Sequence, residues 1–165
     1  MKVLFLDIDG VLNKNNTPET VPHSGRLVRG LDKKLVERYL NWLQDKDDLH
    51  VVLSSTWRLH EVSRNLLEDN LIFWQDETPN IGHRGAEINA YLVQHPEAEH
   101  VAILDDEHNV YPNGRFLIRT AESRGLEDKH LRKLNYLLDY LKEEEEPPVP
   151  AKMPILRKVN APPDK

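Results

Sequence analysis

Two carboxylates, Asp7 and Asp9, stand two residues apart at the end of the apolar run 3–6 and are followed at once by Gly10. In an extended chain, residues two apart project to the same side. Both carboxylates would then stand at the carboxyl end of a strand, spaced to take a divalent cation. Left alone they would repel each other, and a hard cation such as Mg²⁺ or a shared proton relieves that repulsion. Gly10 lacks a Cβ, so the chain can turn there and bring backbone N–H groups close to a ligand. Asp and Gly are also ordinary turn residues, so the pair acquires meaning only from its partners elsewhere in the chain.

Three later stretches carry matching chemistry. Residues 49–53 form a second apolar run, His50 aside, and lead into Ser54-Ser55-Thr56-Trp57-Arg58. Hydroxyls between a strand and a helix either cap that helix or donate to an oxyanion beside its free N–H groups. Arg84 precedes a helical pattern of Ile88, Tyr91 and Leu92. A cation opposes the helix dipole at that position, so an anion or carboxylate within reach would help explain it, although a lone Arg there is more commonly an exposed loop residue. The run 100–104 ends abruptly in Asp105-Asp106. Gathered in one crevice, Asp7, Asp9, Asp105 and Asp106 would form an oxygen-only donor set, which suits Mg²⁺ rather than Zn²⁺.

The elements that must position these groups can be read from periodicity. Leu31, Leu35, Tyr39, Leu40 and Leu43 recur at helical spacing, predicting an amphipathic helix over about 32–45. Strand, helix and strand within this length make a βαβ unit, whose strands are parallel through a right-handed crossover. Helices are predicted over 59–69, from about 88, and along the face Leu131, Leu134, Leu138 and Leu141, with a further strand at 116–118. Residues 71–74 fit either a short edge strand or a plug in the core, and 75–85 read as loop. Residues 13–30 read as a loop or small flap, too short for a cap domain. The fold class is therefore α/β: a doubly wound, three-layer, Rossmann-like parallel sheet over 1–146, with strand ends meeting at a switch point. Residues 147–165, with six prolines after Glu143–Glu146, read as a flexible Pro-rich tail.

Composition narrows the class. The 165-residue chain has no Cys, which removes disulfides, thiolate metal sites and a cysteine nucleophile, and leads us to expect the cytoplasm. No apolar run approaches the ~18 residues of a membrane span, so no membrane association is expected. A net charge of -6 argues against a protein that coats nucleic acid, although a local basic groove can sit within an acidic total.

In chain order, the Asp-x-Asp-Gly strand end, the strand-end Ser, the basic residue heading a helix and the strand-end Asp-Asp resemble the haloacid dehalogenase-like (HAD) phosphohydrolase superfamily over about residues 1–142. Leu-Asp-Ile-Asp-Gly-Val-Leu-Asn, Ser-Ser-Thr-Trp-Arg and Arg-Gly-x-Glu-Ile most resemble the small HAD domain of RNA-repair proteins. The resemblance implies a Mg²⁺-dependent phosphomonoesterase with Asp7 as nucleophile and Asp9 as general acid and base. It implies Mg²⁺ on Asp7, the Asp9 carbonyl, Asp105 and Asp106. Phosphate would be bound by Ser54 (or Ser55, if the strand end is displaced), Arg84 and Gly10. Arg84 departs from the Lys common in the superfamily. The absence of a cap suggests an open site for a phosphorylated substrate, such as a 3′- or 5′-phosphate end of nucleic acid. Arg26, Arg29, Lys33, Arg58, His60 and Arg64 would line the backbone's path, and Trp57 and Arg58 are candidate substrate contacts. A nucleotide phosphatase and a catalytically idle scaffold are the alternatives, a phospho-accepting receiver domain is disfavoured by the early position of the Asp pair, and no stable protein partner is expected.

Overall fold

The computed structural model describes residues 1–20 and 27–139. In chain order it contains β1 (Lys2–Leu6), β2 (Glu19–Thr20), β3 (Val28–Arg29), α1 (Lys33–Leu43) and β4 (Leu49–Leu53). Next come α2 (Glu61–Asp69), β5 (Asp76–Glu77), α3 (Arg84–Gln94), β6 (His100–Asp105), β7 (Leu117–Arg119) and α4 (Asp128–Asp139). Five strands form one sheet in the order β5-β4-β1-β6-β7, with every pairing parallel. The chain runs from β1 outward through β4 to β5, then crosses back to β6 on the other side of β1. This reversal opens a crevice at the carboxyl ends of the central strands.

Two-residue alternation along β1 explains both faces of the sheet. Leu4 and Leu6 pack with Leu35, Val36 and Tyr39 of α1 and Leu134 and Leu138 of α4. Val3 and Phe5 point the other way, against Ile88 and Tyr91 of α3. These four of the five β1 residues are completely buried, and a strand covered by helices on both sides has no polar face to show. The expected three-layer α/β architecture is thus present, without a large cap.

Local chemistry sets the element ends. The Asp32 side chain accepts from the backbone N–H groups of Lys34 and Leu35, at 3.0 and 3.2 Å, and so caps α1. Between β1 and α1 lies a small antiparallel ribbon, β2 with β3, in the segment read as a flap. A 3₁₀ turn, Thr56–Leu59, intervenes before α2. The edge strand is β5 rather than residues 71–74: Ile72 instead plugs the core, fully buried, and the pairing with β4 falls on the polar Asp76 and Glu77. The segment 75–85 is therefore not loop throughout. The predicted tail, 147–165, lies outside the described residues, as does the end of the 1–146 domain beyond residue 139. No helix among the described residues is long and apolar enough to cross a membrane.

Candidate active site at the strand ends

Register brings the acidic residues together. Leu6 of β1 pairs with Leu53 of β4 and Leu104 of β6, so the next residue on each strand, Asp7, Ser54 and Asp105, emerges beside the others. Backbone bonds extend the ladder by one step, with the Asp7 N–H donating to the Leu104 carbonyl and the Ser54 N–H to the Leu6 carbonyl, both at 3.0 Å. Asp7, Asp105 and Asp106 each place a carboxylate oxygen within 4.8 Å of the others.

Arg84, at the first position of α3, reaches into this group. Its Nη1 lies 3.2 Å from Asp7 Oδ1, 2.5 Å from Asp105 Oδ2 and 3.4 Å from Ser54 Oγ. The cation at a helix start thus has its anions. Gly85 makes the approach feasible, since a Cβ there would stand 2.1 Å from the Tyr111 carbonyl oxygen. One guanidinium against three carboxylates leaves an excess of negative charge in a site mostly shut off from water. Burial, with the Asp7 charge adding to it, pushes the Asp105 carboxyl up to about 8 despite Arg84. Burial and Asp7 also push Asp106 up to about 6. Asp7 is raised too, chiefly by burial, while Arg84 and a hydrogen bond from Ser55 oppose the shift.

This donor set could hold a divalent cation. It consists of hard oxygens on two adjacent strand ends, and its raised carboxyl groups would be relieved by a dication. Asp7, Asp105 and Asp106 are the residues placed to hold it; the Asp9 side chain lies outside the group.

Asp9 is instead held by two side-chain donors. Its Oδ1 accepts from Asn13 Nδ2 at 2.8 Å and its Oδ2 from Trp57 Nε1 at 3.1 Å. Gly10 adopts φ +72°, where an L side chain is strained, and an added Cβ would meet Asp106 Oδ2 at 2.2 Å. Its N–H does not face an open phosphate site, because it donates to Asn13 Oδ1 at 3.0 Å. Its carbonyl accepts from Thr120 Oγ1 at 2.7 Å.

The remaining sequence-derived candidates divide. Ser54 and Ser55 are both buried at the end of β4; the Ser55 hydroxyl accepts from the Trp57 N–H at 3.4 Å and also bonds Asp7. Arg58, expected as a substrate contact, is 4% exposed. Its guanidinium donates to the carbonyls of Ser54, Ser55, Thr78 and Pro79 and pairs with Glu87 at 3.0 Å. These bonds occupy all three guanidinium nitrogens, so Arg58 braces the loop ahead of Arg84 instead of meeting a ligand. Glu87 completes the brace by accepting from the N–H groups of Ile81 and Gly82. Trp57, 5% exposed, has no face open for stacking on a base. Of the proposed backbone track, Arg64 pairs with Glu77 and Arg29 lies 3.9 Å from Glu122. Arg26 lies outside the described residues.

Asn13 and Thr120 were not among the candidates. Asn13 comes four residues after Asp9 and reads as a turn residue. Thr120 meets Gly10 from 110 positions away, and no local pattern signals such a contact.

Over residues 3–131 the chain matches the family described as the HAD domain in Swiss Army Knife RNA repair proteins. It belongs to that family. Membership in this HAD family points to phosphatase-type chemistry. Among solved structures, a hypothetical protein from Xanthomonas campestris has a TM-score of 0.50 and 15% identity, covering 84% of this chain and 83% of that one. At that identity the likeness concerns the fold alone. No curated protein matches the chain.

Proposed function

We propose that this HAD domain is a Mg²⁺-dependent phosphomonoesterase that acts through an aspartyl-phosphate on Asp7, with phosphorylated nucleic-acid ends as substrate. The observation that carries the chemistry is the convergence of Asp7, Asp105, Asp106 and Arg84 beside Ser54. When bound, the dication would screen the phosphate's charge from an anionic nucleophile. An Asp7 oxygen attacks phosphorus as the bond to the ester oxygen breaks, and Asp9 gives its proton to the departing alkoxide. Asp9, now a carboxylate, takes a proton from water. The resulting hydroxide attacks phosphorus, the bond to Asp7 breaks, and inorganic phosphate leaves with both aspartates restored. Arg84 uses Nη1 on the protein, leaving Nε and Nη2 without a protein acceptor among the described residues, so its planar fork can meet phosphoryl oxygens. Ser54 stands beside it.

The substrate class rests on the family, described as belonging to RNA repair proteins, and on a groove of about 700 Å³ running from Asp106 along β7 and α4. Arg119, Arg124, Lys129 and Lys133 line it. Glu127 offsets Arg124 and Lys129, at 3.6 and 2.9 Å, and Asp106 and Glu122 also line the groove, which leaves a small excess of positive charge. In a chain of net charge -6, this side of the crevice suits the backbone of a polyanion better than the side carrying Arg58 and Arg64 does.

Phosphate release with and without Mg²⁺ tests the reading. The substrates are 3′- and 5′-phosphorylated oligonucleotides, the matching mononucleotides and an aryl phosphate, with Asp7→Asn alongside. The expected result is Mg²⁺-dependent release, fastest from an oligonucleotide end and absent in the variant. Preference for mononucleotides would overturn the substrate class, and undiminished release by Asp7→Asn would overturn the chemistry.

A further inference from the structure

We propose that Trp57 and Asn13 are positioning residues that fix the Asp9 carboxylate for proton exchange with the leaving group. The inference rests on the phosphatase reading above and adds the two side chains through which Asp9 acts.

Each Asp9 oxygen takes one N–H, from Asn13 at 2.8 Å and from Trp57 at 3.1 Å. Both donors are themselves immobilised. Asn13 is fully buried; its Oδ1 accepts from the Gly10 N–H at 3.0 Å, and its Nδ2 also reaches the Gly30 carbonyl at 3.2 Å. An N–H on one side and two oxygen acceptors on the other define which end of the amide points where. Trp57 is wedged into the core in the turn that leaves β4, packed in the same apolar cluster as Leu53 and Ile72. Asp9 is therefore tied to the end of a neighbouring strand and, through Asn13, to the backbone just after β3.

The chemistry gives this arrangement a purpose. A carboxyl group on a turn beside a left-handed glycine would otherwise rotate freely about two side-chain bonds. Proton transfer requires a set distance and angle, and geometry of that kind is what a rigid supporting shell provides. A carboxylate offers about four lone-pair sites, so two bonds to protein leave acceptor capacity for the proton that is exchanged. The indole N–H of Trp57 meets the site through Asp9, whereas its backbone N–H bonds Ser55, which bonds Asp7, and Asn13 also holds Gly10. A change confined to the indole N–H leaves those other links in place and acts through Asp9.

The leaving group is the discriminating variable. An alkoxide needs its proton as the phosphorus–oxygen bond breaks, whereas a nitrophenolate departs stably without one. Since kcat/KM covers steps only up to departure of the leaving group, it isolates the acid role of Asp9 from its later role as base. Trp57→Phe retains an aromatic ring and removes the N–H. We expect kcat/KM to fall about tenfold or more on a nucleoside phosphate, within the range of general acid catalysis, and less than about twofold on 4-nitrophenyl phosphate. In an Asp9→Asn background the same substitution should add nothing. If Trp57→Phe fails to fold, a benzothienyl analogue at position 57, which keeps the fused rings and replaces N–H by sulfur, gives the same comparison. In the metal-free protein the Trp57 indole N–H resonance should move when Asp9→Asn replaces the carboxyl group it donates to, a readout independent of turnover. Equal losses on both esters, or an indole resonance that stays in place, would overturn the positioning role and leave the phosphatase reading standing. Hydrolysis of neither ester by the wild-type protein would overturn both.

Discussion

Removing one carboxylate from the crowded site should stabilise the metal-free protein, and Asp106→Asn is the variant that shows it. Asp106 sits half-buried near Asp7, and its carboxyl is pushed from an ordinary 3.8 up to about 6. The native state therefore holds that proton more tightly than the unfolded chain does. Where the native state binds more protons, stability falls as pH rises. The contribution is intact below about pH 4 and has been lost once pH passes about 6. A shift of roughly two pKa units corresponds to about 3 kcal/mol, and halving it for the solvent that reaches the group leaves about 1.5 kcal/mol. Asparagine keeps the shape and never ionises. At pH 8 in a chelator, Asp106→Asn should thus melt roughly 4–6 °C above wild type, with the difference vanishing near pH 4. Adding Mg²⁺ should reverse the order, because the variant has lost a ligand while the wild type gains binding energy. Thermal melts at two pH values, with chelator and with Mg²⁺, check all of this. A variant less stable than wild type at pH 8 without metal, or a difference independent of pH, would refute the electrostatic account of the site.

Two further substitutions probe the same geometry. Arg58→Ala leaves Glu87 buried without its cation and frees the loop that carries Arg84; breaking such a pair costs about 3–5 kcal/mol, which urea unfolding would register as a lower midpoint. Gly10→Ala forces a Cβ into Asp106 Oδ2 in a left-handed backbone conformation, so turnover and Mg²⁺-induced stabilisation should both fall sharply, as measured by phosphate release and by melts with and without Mg²⁺.

The strand-end residues were legible in the sequence because a parallel sheet is a simple positioning device. Once residues 3–6, 49–53 and 100–104 are read as neighbouring strands, Asp7, Ser54 and Asp105 must emerge together, and the register of β1 with β4 and β6 places them so. Arg84 stood out through an electrostatic oddity, a cation at a helix start, and its anions are Asp7 and Asp105. What escaped was everything set by side chains meeting across loops. Arg58 reads as a surface charge in a one-dimensional sequence, yet four carbonyls and Glu87 draw it inside. The edge strand Asp76–Glu77 has no apolar alternation to announce it, because the pairing uses backbone alone. Trp57 offers the same apolar ring for packing or stacking, and only the fold shows that its N–H is aimed at Asp9.

The central claim is that Asp7 carries the phosphoryl group. Acid-quenched mass spectrometry of the protein during Mg²⁺-dependent hydrolysis of an aryl phosphate tests it most directly. The account predicts a phosphoryl adduct on the peptide containing Asp7, absent when Asp7→Asn is treated identically. An adduct on another residue, or hydrolysis by Asp7→Asn at the wild-type rate, would contradict it.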